Sequence, residues 1–153
     1  LDLTTRPQGK RSIGELVVQP EIDGLSEPLT GFENHGGGSQ LGPDARPLGK
    51  VLFGKGNSIL PPAGFDEQGS SPDEAALKVP RIDGAVQGSI IATYLHGPVL
   101  ARNPQLADLL LERALGHKLE PLEVPGVAEL RRERLAATIS RPELRERLER
   151  HER

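Results

Sequence analysis

Apolar positions along this chain fall in short clusters, and the period of each cluster names an element. Leu16, Val17 and Val18 form a β-branched-rich run within residues 14–19, which predicts a strand. Pro20 and the acidic Glu21-Ile22-Asp23-Gly24 stretch end it as a turn. A second strand is expected over 28–33, stopping at the run Gly36-Gly37-Gly38. A third is expected over 48–54, where Val51 and Phe53 alternate with Lys50 and Leu52. Pairing resumes over 82–87. The near-continuous apolarity of Ser89-Ile90-Ile91-Ala92-Thr93-Tyr94-Leu95 then predicts a strand buried on both faces, as in the centre of an α/β sheet.

Helical signals come later in the chain. Asn103 is placed to cap a helix whose first position is Pro104, and Gly116 is placed to end it. Leu106, Leu109, Leu110 and Leu111 are expected toward one face. From Val127 onward a charged helical tail is expected, broken at Pro142 and supported by the pairs Glu143 with Arg147 and Glu146 with Arg150. Residues 1–8 show no period, and Arg6-Pro7 disfavours helix there. Residues 58–80 are rich in Gly, Pro, Ser, Asp and Glu and read as a long inserted flexible loop. The organisation expected is one domain over 1–138, with 139–153 as a charged tail.

Composition narrows the function. A chain of 153 residues supports one core, and aromatics at 3% mean that Leu, Val, Ile and Ala must build it. The net charge of -3 is interspersed along the chain, with no basic stripe, so no nucleic-acid partner is expected. No apolar run reaches the ~20 residues that span a bilayer, and no secretory leader is visible, so no membrane insertion is expected. Without Cys there is no disulfide framework, no thiolate metal site and no cysteine nucleophile. A reducing cytoplasm is the expected compartment. The sequence opens at Leu1 and contains no Met, so it reads as a piece of a longer chain, a processed product or a truncated gene model.

Candidate chemistry centres on His96, which follows the last expected strand and is turned at once by Gly97-Pro98. The carboxyl ends of strands in open α/β sheets are where catalytic groups gather. A satisfied structural histidine would fit that position equally well. Glu33-Asn34-His35 lacks further ligands at metal-site spacing, so no metal site is expected; with the glycines that follow it reads as a wall or hydrogen-bonded turn beside the active site, or as a partner contact. Gly54-Lys55-Gly56-Asn57 lacks the strand-loop-helix setting and the Lys-Ser/Thr ending of a phosphate loop, and reads as a turn.

Four blocks in fixed order carry a resemblance: Gly31-Phe32-Glu33-Asn34-His35-Gly36-Gly37, Gly54-Lys55-Gly56-Asn57, Thr93-Tyr94-Leu95-His96-Gly97-Pro98 and Asn103-Pro104. From Leu1 to about Leu135 the chain resembles the glutaminase subunits of lipid II isoglutaminyl synthase, which are class I glutamine amidotransferases of the cobyric acid synthase type. The resemblance implies a flavodoxin-like three-layer α/β/α domain, of which this chain is the second half only. The first half of that domain carries the nucleophilic cysteine on a tight strand-to-helix turn, and Leu1-Asp2-Leu3 resembles the stretch shortly after it. His96 is then the catalytic histidine, pairing with the cysteine and passing its proton to the departing ammonia. Arg11, in Lys10-Arg11-Ser12-Ile13-Gly14-Glu15, matches the family's glutamine-binding arginine, whose fork grips the α-carboxylate of L-glutamine.

Three further implications follow from the same resemblance. The subunit holds no cofactor of its own. Its ammonia goes to a Mur-ligase-like partner, MurT, which uses ATP to amidate the D-glutamate of lipid II to D-isoglutamine in peptidoglycan synthesis. Many class I amidotransferases orient the histidine with a glutamate two residues later. Here that position is Pro98, so the orienting group must come from elsewhere. The family's arginine-threonine continuation after the glycines is replaced by Gly38-Ser39. Two alternatives stay open: a non-catalytic remnant or interaction domain, and an amidotransferase of cobalamin-precursor synthesis.

Overall fold

The computed structural model describes residues 1–57, 81–120, 122 and 124–139, with Ile139 described by its backbone alone. Six strands come first: β1 (Leu3–Pro20), β2 (Leu29–Leu41), β3 (Gly49–Phe53), β4 (Ile82–Asp83), β5 (Ala85–Gln87) and β6 (Ile90–Ala92). Three helices follow: α1 (Val99–Arg102), α2 (Pro104–Leu115) and α3 (Val127–Ile139). The expected inserted loop over 58–80, and the tail with Pro142 and its charge pairs, lie outside the described residues.

The architecture mixes sheet and helix, as an α/β chain should. Strands β2, β1, β3 and β4 form one sheet in that order, and β5 and β6 form a separate hairpin. Every strand pair among the described residues is antiparallel. The parallel strands of a flavodoxin-like layer are therefore not found among the described residues.

β1 is the central strand. Leu16, Val17 and Val18 are all buried in this strand, which pairs with β2 along one edge and β3 along the other. The core gathers on one side of this sheet. Leu16, Val18, Leu29, Leu48 and Val51 meet Ile22 and Leu25 of the 21–28 connection, Val86, Leu95, and Leu106 and Leu109 of α2. α3 is fastened by Arg131, which donates to the Arg102 carbonyl and pairs with Glu27 at 2.7 Å.

Several expectations are corrected. β1 begins at Leu3, far earlier than the aperiodic sequence foretold, because its exposed arm is held by backbone pairing with β2 and not by apolar burial. β2 runs on through Gly36-Gly37-Gly38 to Leu41, with Gly37 opposite Pro7 and Gly38 opposite Arg6. Glycine is accommodated in the strand because the Gln8 side chain fills the space where a Gly38 Cβ would stand, 2.4 Å from Gln8 Nε2. The 82–87 segment is two strands. Gly84, at φ 72°, redirects the chain from the first sheet to the hairpin.

The strand expected over 89–95 is the largest discrepancy. Only Ile90–Ala92 pairs, as the second arm of a hairpin turned at Gly88, and Ile90 is half exposed. Its apolarity marks a hairpin on the surface and not a sheet centre. In α2, Gly116 caps in the left-handed region as expected, donating to the Glu112 carbonyl at 2.8 Å. Leu111 is exposed, since at 100° per residue it points away from Leu106 and Leu110. Asn103 precedes the helix but makes no side-chain cap. Its wholly buried amide accepts from the Thr30 N–H and donates to the Thr30 and Val99 carbonyls, tying β2 to α1 and α2.

Candidate active site

The Gly31-to-Gly37 block is a stretch of β2, and strand geometry divides its side chains between two faces. Glu33 and His35 point inward and are buried, whereas Phe32 and Asn34 lie half-buried on the outer face. That division resolves a block whose residue types alone left its role unassigned.

On the inner face, Glu33 is held by backbone. One carboxylate oxygen accepts from the Lys55 N–H at 2.9 Å, and the other from the Gly56 N–H at 3.0 Å. The 54–57 turn thus points its free amides at a resident carboxylate, the group an incoming anion would have to displace. His35 Nδ1 lies 2.9 Å from the Gly37 carbonyl, and Nε2 lies 3.4 Å from Glu33. A carbonyl can only accept, so Nδ1 carries a hydrogen. The His35 ring packs against Tyr94 with centroids 4.7 Å apart.

Asp83 completes this buried group at 0% exposure. Its Oδ2 accepts from the Thr93 hydroxyl at 2.6 Å, and Oδ1 has no hydrogen-bond partner among the described residues. Burial raises the Asp83 pKa above the ordinary carboxylate value. The Thr93 hydroxyl, the Tyr94 backbone and His35 pull it partly back, and Glu33 pushes it up.

His96 reaches the outer face by a different route from the expected strand end. After β6 stops at Ala92, residues 93–95 run irregularly, and His96 then forms an antiparallel bridge with Phe32 at the free edge of β2. Gly31 permits the approach, since a Cβ there would stand 2.7 Å from Leu95 Cδ2 and 3.3 Å from the His96 carbonyl. The exposed His96 ring has its Nδ1 2.5 Å from the Tyr94 carbonyl. That carbonyl can only accept, so Nδ1 holds the proton and Nε2 is the nitrogen left for chemistry. With Pro98 unable to orient the ring, a main-chain carbonyl does so.

Arg11 sits where β1 bulges between Pro7 and Ser12, and it is exposed. Its Nε donates to Asn34 Oδ1 at 2.7 Å, and Nη2 reaches the Asn34 carbonyl at 3.5 Å. Asn34 stands two residues along β2 from Phe32, about 7 Å at strand rise, and on the same face. The structure therefore places Arg11 and His96 above one face of β2, linked through Asn34 and Phe32. Sequence reasoning placed Asn34, Thr93 and Tyr94 within motif blocks without giving any of them a role of its own, and it missed Asp83. The available signal was the strand period, which sets Phe32 and Asn34 on one face and Glu33 and His35 on the other.

Residues 1–104 match the model of the CobB/CobQ-like glutamine amidotransferase domain. Two curated relatives extend the likeness. The lipid II isoglutaminyl synthase (glutamine-hydrolyzing) subunit GatD of Staphylococcus aureus (strain N315) is 33% identical over 133 residues, 85% of this chain and 45% of the relative. The subunit of the same name from Streptococcus pneumoniae (strain ATCC BAA-255 / R6) is 28% identical over 138 residues, 90% of this chain and 45% of the relative. The chain thus spans less than half the length of the curated relatives it matches.

Proposed function

Because this chain belongs to the CobB/CobQ-like glutamine amidotransferase family, we propose that it is the histidine-bearing part of a glutaminase that supplies ammonia to a ligase. The observation that carries the reading is His96, with Nδ1 turned onto the Tyr94 carbonyl and Nε2 left free above the β2 face that also bears Arg11.

The chemistry needs a thiolate, and none of the 153 residues is a Cys. The nucleophile comes from polypeptide outside this sequence, so these residues are the second half of a three-layer α/β/α domain. The sulfur attacks the carboxamide carbon of glutamine, and the tetrahedral intermediate collapses as protonated His96 Nε2 gives its proton to the leaving nitrogen. Ammonia departs and a thioester remains. His96 then takes a proton from water, whose oxygen displaces the sulfur and releases glutamate. Arg11, steadied by Asn34, grips the α-carboxylate through its remaining donors.

The names of the two relatives favour the cell-wall reading over cobalamin-precursor synthesis. The partner is then a Mur-ligase-like subunit, MurT, forming a cytoplasmic heterodimer with this glutaminase. With ATP it amidates the D-glutamate of lipid II. Among the described residues no helix is long and apolar enough to cross a membrane.

The test is ammonia release from glutamine by the complete enzyme, with the cysteine-bearing part and the ligase subunit both present. His96→Ala should lower kcat by roughly three orders of magnitude while the complex still assembles. Glutamine turnover at the wild-type rate in that variant would remove His96 from the mechanism. No turnover by the complete wild-type enzyme would instead favour a non-catalytic remnant.

A further inference from the structure

The irregular segment before His96 has its own hydrogen-bond frame. Thr93 Oγ1 donates to buried Asp83 at 2.6 Å and accepts from the Leu95 N–H at 3.0 Å. A hydroxyl has one donor and lone pairs to spare, so it can serve both contacts at once. The Leu95 contact closes a local side-chain-to-backbone turn. The Asp83 contact anchors that turn at the end of β4, in the first sheet. Residue 94 lies inside the turn, and its carbonyl is the group that sets the His96 ring. Leu95 in turn fits against Gly31, which fixes how the segment meets β2.

We propose that Thr93, anchored on Asp83, is the positioning residue for His96, because its hydroxyl holds the turn that aims the Tyr94 carbonyl at Nδ1. Thr93 touches no substrate. It acts by keeping the histidine in the tautomer that leaves Nε2 free and at the angle set by the Phe32 bridge. The inference rests on His96 being the acid–base group of the proposed glutaminase. It also accounts for how a family member with Pro98 in place of a carboxylate still orients that ring. Valine is nearly the shape of threonine but has no hydroxyl, so Thr93→Val removes both contacts without opening a cavity. Thr93→Ser keeps the hydroxyl.

The experiment compares T93V, T93S and H96A in the complete enzyme, reading kcat and KM for glutamine hydrolysis, with 15N chemical shifts of the His96 ring as a second measurement. T93V should lower kcat by about ten- to a hundredfold, the loss expected of a misaimed catalytic group, with KM little changed. Its ring spectrum should move from Nδ1-protonated toward a mixture of tautomers, and T93S should restore both readouts. If T93V proves too unstable to assay, T93A read by the ring spectrum takes its place. Wild-type kcat and an unaltered tautomer in T93V, with H96A inactive, would overturn the positioning role and leave the glutaminase reading intact. Wild-type turnover in H96A would overturn both.

Discussion

Phe32 and His96 exchange both of their backbone hydrogen bonds, His96 N–H to the Phe32 carbonyl at 2.7 Å and Phe32 N–H to the His96 carbonyl at 3.2 Å. Paired residues of an antiparallel bridge project to the same face. The single bridge therefore settles which side of β2 the histidine occupies, and it is the side of Asn34 and Arg11. Glu15, opposite Phe32 on β1, shares that face and is paired with Arg102 at 3.1 Å.

Gly31 is the residue that this arrangement tolerates least well as anything larger. Its absent Cβ would stand 3.0 Å from Leu95 Cβ and closer still to Leu95 Cδ2. Gly31→Ala should push the 95–96 segment off β2, destabilising the fold by about 1–3 kcal/mol as overpacking does. Glutamine turnover by the complete enzyme should fall with it. Denaturation midpoints and ammonia release, measured on the same preparation, check the two effects together. An alanine variant with unchanged stability and rate would show that the bridge is dispensable.

Arg11 and Asn34 should separate binding from turnover. On the proposed role of Arg11, Arg11→Lys keeps the charge but would lose a two-pronged grip on the α-carboxylate, so KM for glutamine should rise about tenfold or more. Asn34→Ala releases the guanidinium to wander, and KM should rise by a smaller factor, about two- to fivefold, since only the ordering of one side chain is lost. Steady-state kinetics on glutamine distinguish these outcomes. A larger effect at Asn34 than at Arg11 would mean that Asn34 meets the substrate itself.

Parts of the fold were legible in the sequence, and the parts of fold and candidate site that were not have physical reasons. The run Leu16-Val17-Val18 announced the central strand because burial on both sides leaves an uninterrupted apolar signature. Pro104 and Gly116 announced α2 because their backbone preferences act locally. Ile90 and Ile91 misled, since β-branched residues mark a strand without saying whether it lies inside or at the surface. Asn103 looked like a cap, and its side chain was claimed by Thr30, a partner 73 positions away that no local window contains. The Tyr94 carbonyl is invisible to any reading by residue type, because every residue has one.

The Asn103 side chain makes three hydrogen bonds with no solvent exposure. Asn103→Ala strands the Thr30 amide and carbonyl and the Val99 carbonyl. It should cost about 2–4 kcal/mol, the expense of buried groups left unpaired. Asn103→Asp keeps the acceptor for the Thr30 N–H, but turns an oxygen toward two carbonyls and should be at least as damaging. Thermal unfolding of the three proteins orders them. If Asn103→Ala unfolds with the wild type, α2 is not held to β2 by this residue.

Asp83 links stability to pH in the direction opposite to a salt-bridged carboxylate. Its pKa is raised in the fold by desolvation, against an ordinary value of 3.8. Between that value and the raised one, the folded protein holds a proton that the unfolded chain has released. Stability then falls as pH rises, because the native state binds more protons than the unfolded one. The contribution is complete below the ordinary value and is lost as pH climbs through the raised one. Asp83→Asn keeps an oxygen to accept from the Thr93 hydroxyl and carries no titrating proton, so its stability should be flat across the same window. The difference between variant and wild-type unfolding midpoints should therefore shift in the variant's favour as pH increases above about 4. Parallel curves would mean that Asp83 stays ionised in the fold, with water or a neighbouring donor reaching its second oxygen.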